Sequence, residues 1–273
     1  MMRSLWSAAS GMRAQQVNVD TIANNLANVN TNGFKSNKAE FKTLLYQTVQ
    51  ARTTSMNGET KPIPAQVGLG TRVASTTKTF SQGALESTDF PSDFAIEGDG
   101  FFQVRTLNNQ IGYTRSGNFL WSMGNNGNLM LCTQEGYPVL DRNGAVISLP
   151  ANITEENVVV SSQDGTIGYT DGNGNYTSLN QQFGLYQFRN PSGLDAISNN
   201  LYEVTDASGA AMSEYTTGTL IRSRVVQNYL EMSNVNVADQ MVDMIVAQRA
   251  YEMNSKAITT TDEMLSQANQ LKR

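Results

Sequence analysis

Two amphipathic stretches at opposite ends of the chain, with a turn-rich interior between them, restrict the fold more than any other feature. At the N-terminal end, Leu5, Ala8, Met12, Gln15, Val19, Ile22, Leu26 and Val29 recur at spacings that alternate between three and four. That is the a/d seam of a heptad helix. No proline interrupts it, and Gly11 is its only strong helix weakener. Asn28, Asn30, Asn32 and Gly33 are expected to end the helix, because Asn and Gly tolerate the left-handed conformation of a C-terminal stop. At the other end, Ser233 or Asn234 is placed to cap a second helix. Val237, Gln240, Met244, Ala247, Tyr251, Asn254, Ile258, Thr261, Leu265 and Ala268 then follow the same alternation. Met241 and Ile245 widen that stripe.

The interior reads differently. Short apolar runs are separated by Asn126-Gly127, Asn143-Gly144, Asp164-Gly165 and Asp171-Gly172, all hairpin or turn signals. Residues 145–149, 157–161, 184–188 and 218–221 read as strands. The expected fold is therefore α+β and multidomain. A discontinuous, coiled-coil-like helical domain (1–31 with 234–273) joins an all-β middle of many short strands (71–221). An extended connecting segment (32–70 with 222–233) links the two, and its residues 47–70 resemble neither part.

Composition narrows the chemistry. Only 39% of the 273 residues are hydrophobic and 16% charged, so uncharged polar side chains carry many of the contacts. The net charge of −5 and the lack of a basic stripe argue against a nucleic-acid partner. No run of about 18 apolar residues suggests a membrane span. The first residues are too broken by polar side chains for a secretory h-region, so export without a cleavable signal is the expectation.

Catalytic constellations fail in turn. The chain has no histidine, so no Ser-His-Asp triad is possible. Ser75-Thr76-Thr77-Lys78 has Ser-x-x-Lys spacing but sits in an alternating, strand-like segment. Asp171-Gly172-Asn173-Gly174-Asn175 begins like a calcium loop, yet Tyr176 and Gln182 occupy the positions that require glycine and glutamate. Gly98-Asp99-Gly100 runs into Gln103 and makes no dinucleotide fingerprint. Glu155-Glu156 reads as a solvated face, and the lone Cys132 as a buried small hydrophobe. No cofactor or metal is expected. The rival of a different class is a wall-binding or glycan-cleaving β domain that uses Asp93, Glu97 and Asp99.

Three patches carry a resemblance. Residues 23–35, with Asn24-Asn25-Leu26-Ala27-Asn28 and Thr31-Asn32-Gly33-Phe34-Lys35, resemble the N-terminal signature of the flagellar axial family of rod, hook and hook-associated proteins. Residues 230–236, continuing through Met244-Ile245 and Gln248-Arg249-Ala250-Tyr251, resemble its C-terminal signature. Residues 95–104 with Tyr113-Thr114-Arg115 resemble the start of its β domain. Arg3-Ser4-Leu5-Trp6, the moderate length and Leu45-Tyr46-Gln47 look most like the distal-rod branch; the alternatives within the family are a proximal rod or hook subunit. Asp239-Gln240 departs from the two glutamates more usual there.

The resemblance implies a mechanical role. Many copies would form a hollow helical shaft that carries torque to the hook and serves as part of the export conduit. Implied partners are other copies of the chain, proximal rod proteins, the hook protein, and wall and outer-membrane ring proteins acting as a bushing. The self-assembly residues it implies are Leu5, Met12, Val19, Ile22, Asn24, Asn25, Leu26 and Asn28 at one end. At the other they are Val237, Met241, Met244, Tyr251, Ile258 and Leu265.

Overall fold

The computed structural model describes residues 2–50, 65–107, 109–124, 127–150, 153–170, 175–198, 200–218 and 220–271. The calcium-like stretch at 171–174, Asn126 of one turn signal and residues 51–64 of the connecting segment lie outside these. The chain divides into two compact units. One comprises residues 1–27, 37–78 and 236–273, the other residues 28–36 and 79–235. The expected connecting segment is thus split. Residues 37–70 belong with the helices, and residues 32–36 and 222–233 with the β unit.

In the helical unit, α1 (Met2–Ala27) and α2 (Val237–Gln270) run antiparallel, as two contacts show. The Asn25 amide donates to Gln240 Oε1 at 3.0 Å. Fourteen residues earlier, Gly11 faces the Asn254 side chain. Ala8, Ala14, Ile22, Asn25, Ala247 and Thr261 are fully buried, so small side chains dominate the contact. The expected seam members Leu5, Met12, Val19, Leu26, Met244, Ile258 and Leu265 are half-buried. The apolar surface of α1 is shared between α2 and a sheet. β1 (Asn37–Thr43) pairs with β4 (Thr71–Lys78), and the Ser10 hydroxyl accepts from the Thr71 amide at 3.3 Å. β2 (Tyr46–Gln50) and β3 (Ala65–Gly68) form a second antiparallel pair.

The first helix ends at the expected stretch, and the cap of the second differs from expectation. α1 stops at Ala27, and among the four residues expected to stop it only Gly33 takes a left-handed φ, +68°. Asn236, not Ser233 or Asn234, caps α2, accepting from the Ala238 amide at 3.1 Å. Asn234 is committed elsewhere.

A Cβ built at Gly11 lies 3.0–3.2 Å from three atoms of the Asn254 amide. Gly11→Leu is therefore expected to overpack the helix pair and cost about 1–3 kcal/mol. Gly11→Ala, which adds one methyl and recovers about 1 kcal/mol of helix propensity, is expected to fall within 1 kcal/mol of the parent. Thermal melting followed at 222 nm separates the two, and equal stability of both variants would show that the helices do not approach closely here.

The β unit contains antiparallel pairs throughout its described residues. Its largest sheet has the order β16-β17-β8-β7-β15-β18. These strands are Asp195–Ser198, Leu201–Glu203, Ile111–Thr114, Phe101–Arg105, Leu185–Gln187 and Met212–Ser213. A three-stranded sheet combines β11 (Ser148–Leu149), β10 (Leu129–Thr133) and β9 (Phe119–Met123). Another combines β12 (Val158–Val160), β13 (Thr166–Thr170) and β14 (Tyr176–Gln182). β6 (Phe94–Glu97) pairs with β19 (Arg224–Gln227), and β5 (Leu85–Ser87) with β20 (Tyr229–Glu231).

β7 shows why this unit needs apolar residues on both faces of a strand. Successive side chains point to opposite faces of a strand, and β7 is covered on both. Phe102 and Val104 enter the larger core with Phe94, Phe119, Leu131 and Phe183. Phe101 enters a smaller aromatic core with Tyr113, Phe188 and Tyr202. Turns at Gly144 and Gly165 take the left-handed conformation their sequences suggest. Residues 157–161 and 184–188 contain strands as expected, residues 145–149 only the two-residue β11, and the described residues of 218–221 none. No helix among the described residues is long and apolar enough to cross a membrane.

Candidate assembly site

The three signature patches, far apart in sequence, converge in the β unit on Glu231. Its Oε1 accepts from Lys35 Nζ at 2.6 Å and from the Gly83 amide at 2.9 Å. Its Oε2 lies 3.3 Å from Arg115 Nε. Lys35 also donates to the Ser81 carbonyl at 2.8 Å. Arg115 Nη1 donates to the carbonyls of Gly98 and Gly100 at 2.7 and 2.6 Å, and the guanidinium sits 5.5 Å from the Phe101 ring centroid. The side chains of Lys35 and Glu231 are wholly buried and that of Arg115 nearly so. Such a cluster holds only because each charge has fixed partners. Burial pulls Lys35 below its ordinary pKa, with Glu231 opposing and Arg115 adding to the fall. Burial likewise lowers Arg115, against Glu231, Asp99 and Glu214.

Backbone geometry tightens the same knot. The Gly33 amide donates to the Glu231 carbonyl at 2.7 Å. A Cβ at Gly33 would stand 2.7 Å from the Ser116 nitrogen, so both the left-handed φ and the close approach require glycine. The Asn234 side chain accepts from the Ser36 amide at 2.8 Å and donates to the Thr79 carbonyl at 2.8 Å and to Ser81. Residues 28–36 are therefore stitched to residues 79–83 and 231–234 by a set of polar contacts.

The helical unit has its own polar clasp. Asn25 accepts from the Asn37 amide and donates to the Asn37 carbonyl, both at 2.8 Å, as a neighbouring strand would. The same amide reaches Gln240. Asn24 is exposed and Asn28 half-buried. Val237, Met241 and Tyr251 are exposed. Met241 (54%), Val242 (59%), Ile245 (57%), Val246 (62%) and Met253 (67%) form an uncovered apolar stripe on α2.

The structure thus buries Ile22 and Asn25 from the expected set, half-buries most of the others and leaves Asn24, Val237, Met241 and Tyr251 in the open. Sequence reasoning quoted Lys35, Arg115 and Glu231 within motifs but gave them no role. The available signal was that charged residues are sparse and each of these stands beside strand or turn residues. The glycosidase candidates make no such arrangement. Asp93 is buried, with its carboxyl pushed above the usual range by burial, whereas Glu97 and Asp99 are exposed. Cys132 is buried, which raises its thiol pKa. No group of three or more Cys, Asp or Glu side chains that could hold a metal ion occurs among the described residues.

Comparison with known proteins places these features in a family. Residues 5–35 match the family described as flagella basal body rod protein. Residues 95–169 match the flagellar hook protein FlgE/F/G D1 domain, and residues 226–271 the flagellar basal body rod FlgEFG protein C-terminal family. The chain is 45% identical to the flagellar basal-body rod protein FlgG of Borreliella burgdorferi, with 100% of both chains covered. It is 38% identical to the flagellar basal-body rod protein FlgG of Bacillus subtilis, again over 100% of each. The flagellar hook-basal body complex protein FlhP of Bacillus subtilis is 32% identical over the full length of both. Residues contributing to the Glu231 cluster come from all three matched regions, and at these full-length identities the chain belongs to the flagellar basal-body rod protein family.

Proposed function

We propose that the chain is a structural subunit of the distal rod of the bacterial flagellum. Copies of it polymerise into a hollow helical shaft that transmits torque to the hook and forms part of the export conduit. The observation that carries this reading is the uncovered apolar stripe of α2, Met241 to Met253, on a helix whose opposite face already packs on α1. Burying a large apolar side chain contributes roughly 1.5–3 kcal/mol. An exposed row of them is a liability for a lone chain and an asset for one surrounded by copies of itself. The paired terminal helices then act as a coiled-coil-like inner layer, and the residues proposed for self-assembly at both ends act through it. The Glu231 cluster suits a shaft under load, because it fixes the chain's crossing points with short charged contacts. Proximal rod proteins and the hook protein would meet the two ends of the shaft. Wall and outer-membrane ring proteins would surround it in the periplasm as a bushing.

Electron microscopy of basal bodies from a strain lacking this chain tests the assignment. The thick distal shaft should be missing and the proximal rod retained. Complete rods in that strain would remove the proposal.

The same reading makes the chain non-catalytic. Purified protein is expected to release no reducing ends from peptidoglycan. Turnover that disappears with Asp93→Asn, Glu97→Gln or Asp99→Asn would promote the glycan-cleaving alternative instead.

A further inference from the structure

The helical unit has a second unfilled surface, and it complements the first. α1 and the strand pair beside it enclose a groove of about 440 Å³, lined by Trp6, Ala9, Arg13, Val17, Leu44 and Val73. Trp6 is 72% exposed at one end. Arg13 and Arg72 stand exposed on its rim, and neither pairs with a carboxylate among the described residues. The elements α1, β1 and β4 carry Arg3, Arg13, Lys38, Lys42, Arg72 and Lys78 against Asp20 and Glu40.

The stripe on α2 has the opposite character. Met241, Val242, Ile245 and Val246 alternate with the exposed Asp239 and Asp243, and no basic residue occurs in α2 before Arg249. Lengths agree as well. Trp6 to Val17 and Val242 to Met253 each span about 16 Å of helix. A chain cannot seat this stripe in its own groove. In the antiparallel register set by Asn25–Gln240 and Gly11–Asn254, α2 meets α1 through its opposite face.

We infer that the groove between α1 and β4, rimmed by Arg13 and Arg72, receives the acidic, apolar N-terminal half of α2 from a second copy of this chain. Two different surfaces meet, so the contact is heterologous. Such contacts propagate as rings or open helices instead of closing as pairs. The inference rests on the reading of the chain as a self-polymerising subunit, and it names the surfaces by which that polymer grows.

Charge exchange tests it in a strain without the native chain. Arg13→Glu with Arg72→Glu, and separately Asp239→Lys with Asp243→Lys, should each reduce the number of assembled rods at least tenfold. All four changes in one chain should restore rods. Rods undiminished by either pair, or no recovery in the combined chain, would overturn the interface. A second measurement is independent of charge. Ala9→Cys with Val246→Cys should oxidise, in assembled rods, to a ladder of dimers, trimers and longer species, while each single variant should not. The native Cys132 is buried and does not compete. A motile double variant that stays monomeric on oxidation would also overturn it. Complete distal rods in the strain lacking the chain are a separate outcome, which would defeat the functional reading itself.

Discussion

Glu231→Gln is expected to destabilise the β unit by about 3–5 kcal/mol, the cost of leaving buried cations without their carboxylate. Gln keeps the shape and one acceptor oxygen, so Gly83 and Lys35 retain a hydrogen-bond partner. What disappears is the negative charge between Lys35 Nζ at 2.6 Å and Arg115 Nε at 3.3 Å. Both cations are already pulled below their ordinary pKa values by burial, and Glu231 is the first-named influence opposing that fall in each. Without it, Lys35 is driven toward its neutral form, while Arg115 stays charged and is left with the weaker influence of Asp99, Glu214 and Tyr202. The melting temperature of the chain should fall by roughly 10 °C. Lys35→Met combined with Glu231→Gln should recover part of the loss, because it removes one orphaned charge along with the carboxylate. That recovery is the coupling a double-mutant cycle measures. A single variant that melts within about 2 °C of the parent, or a double variant less stable than Glu231→Gln, would show that the cluster does not hold the unit together.

That cluster also marks where sequence reading stops. The two helices were legible because heptad spacing is a local pattern, and α1 and α2 lie where the spacing puts them. The strands at Val158–Val160 and Leu185–Gln187 were legible because β-branched or apolar runs sit between turn residues. Helix ends were harder. Asn234 is as good a cap by composition as Asn236, and only its partners Ser36, Thr79 and Ser81 explain why it is used otherwise. The position of β4 was not legible, since Thr71–Lys78 reads as one more polar strand and its pairing with β1 is a non-local fact. Lys35 and Glu231 are 196 residues apart in sequence, and a single sequence contains nothing that brings them together. The seam was legible as a stripe but not as a contact. Half-buried Met12 and Val19 beside fully buried Ala8 and Ala14 show that α1 packs in two directions, which a one-dimensional period does not encode.

Ala247→Asp should abolish rod assembly while sparing the β unit. Ala247 is 1% exposed in the N-terminal third of α2, on the face that meets α1, where small residues let the helices approach. A carboxylate there must either lose its water without gaining a partner, at several kcal/mol, or force the helices apart. Each isolated helix is marginal in water and takes its stability from the packed face, so separation would also unfold the ends. In a helical polymer the same defect recurs in every subunit. Gln248→Asp is the matched control: the same new charge, one residue along, at an exposed position. It should assemble nearly as well as the parent. Motility, rod counts in isolated basal bodies and circular dichroism at 222 nm would follow both variants, and the melting of the β core would confirm that Ala247→Asp still folds there. Rods formed equally by both variants would show that the α1–α2 contact is dispensable for the polymer, and would leave the exposed stripe of α2 to act without the pairing that orients it.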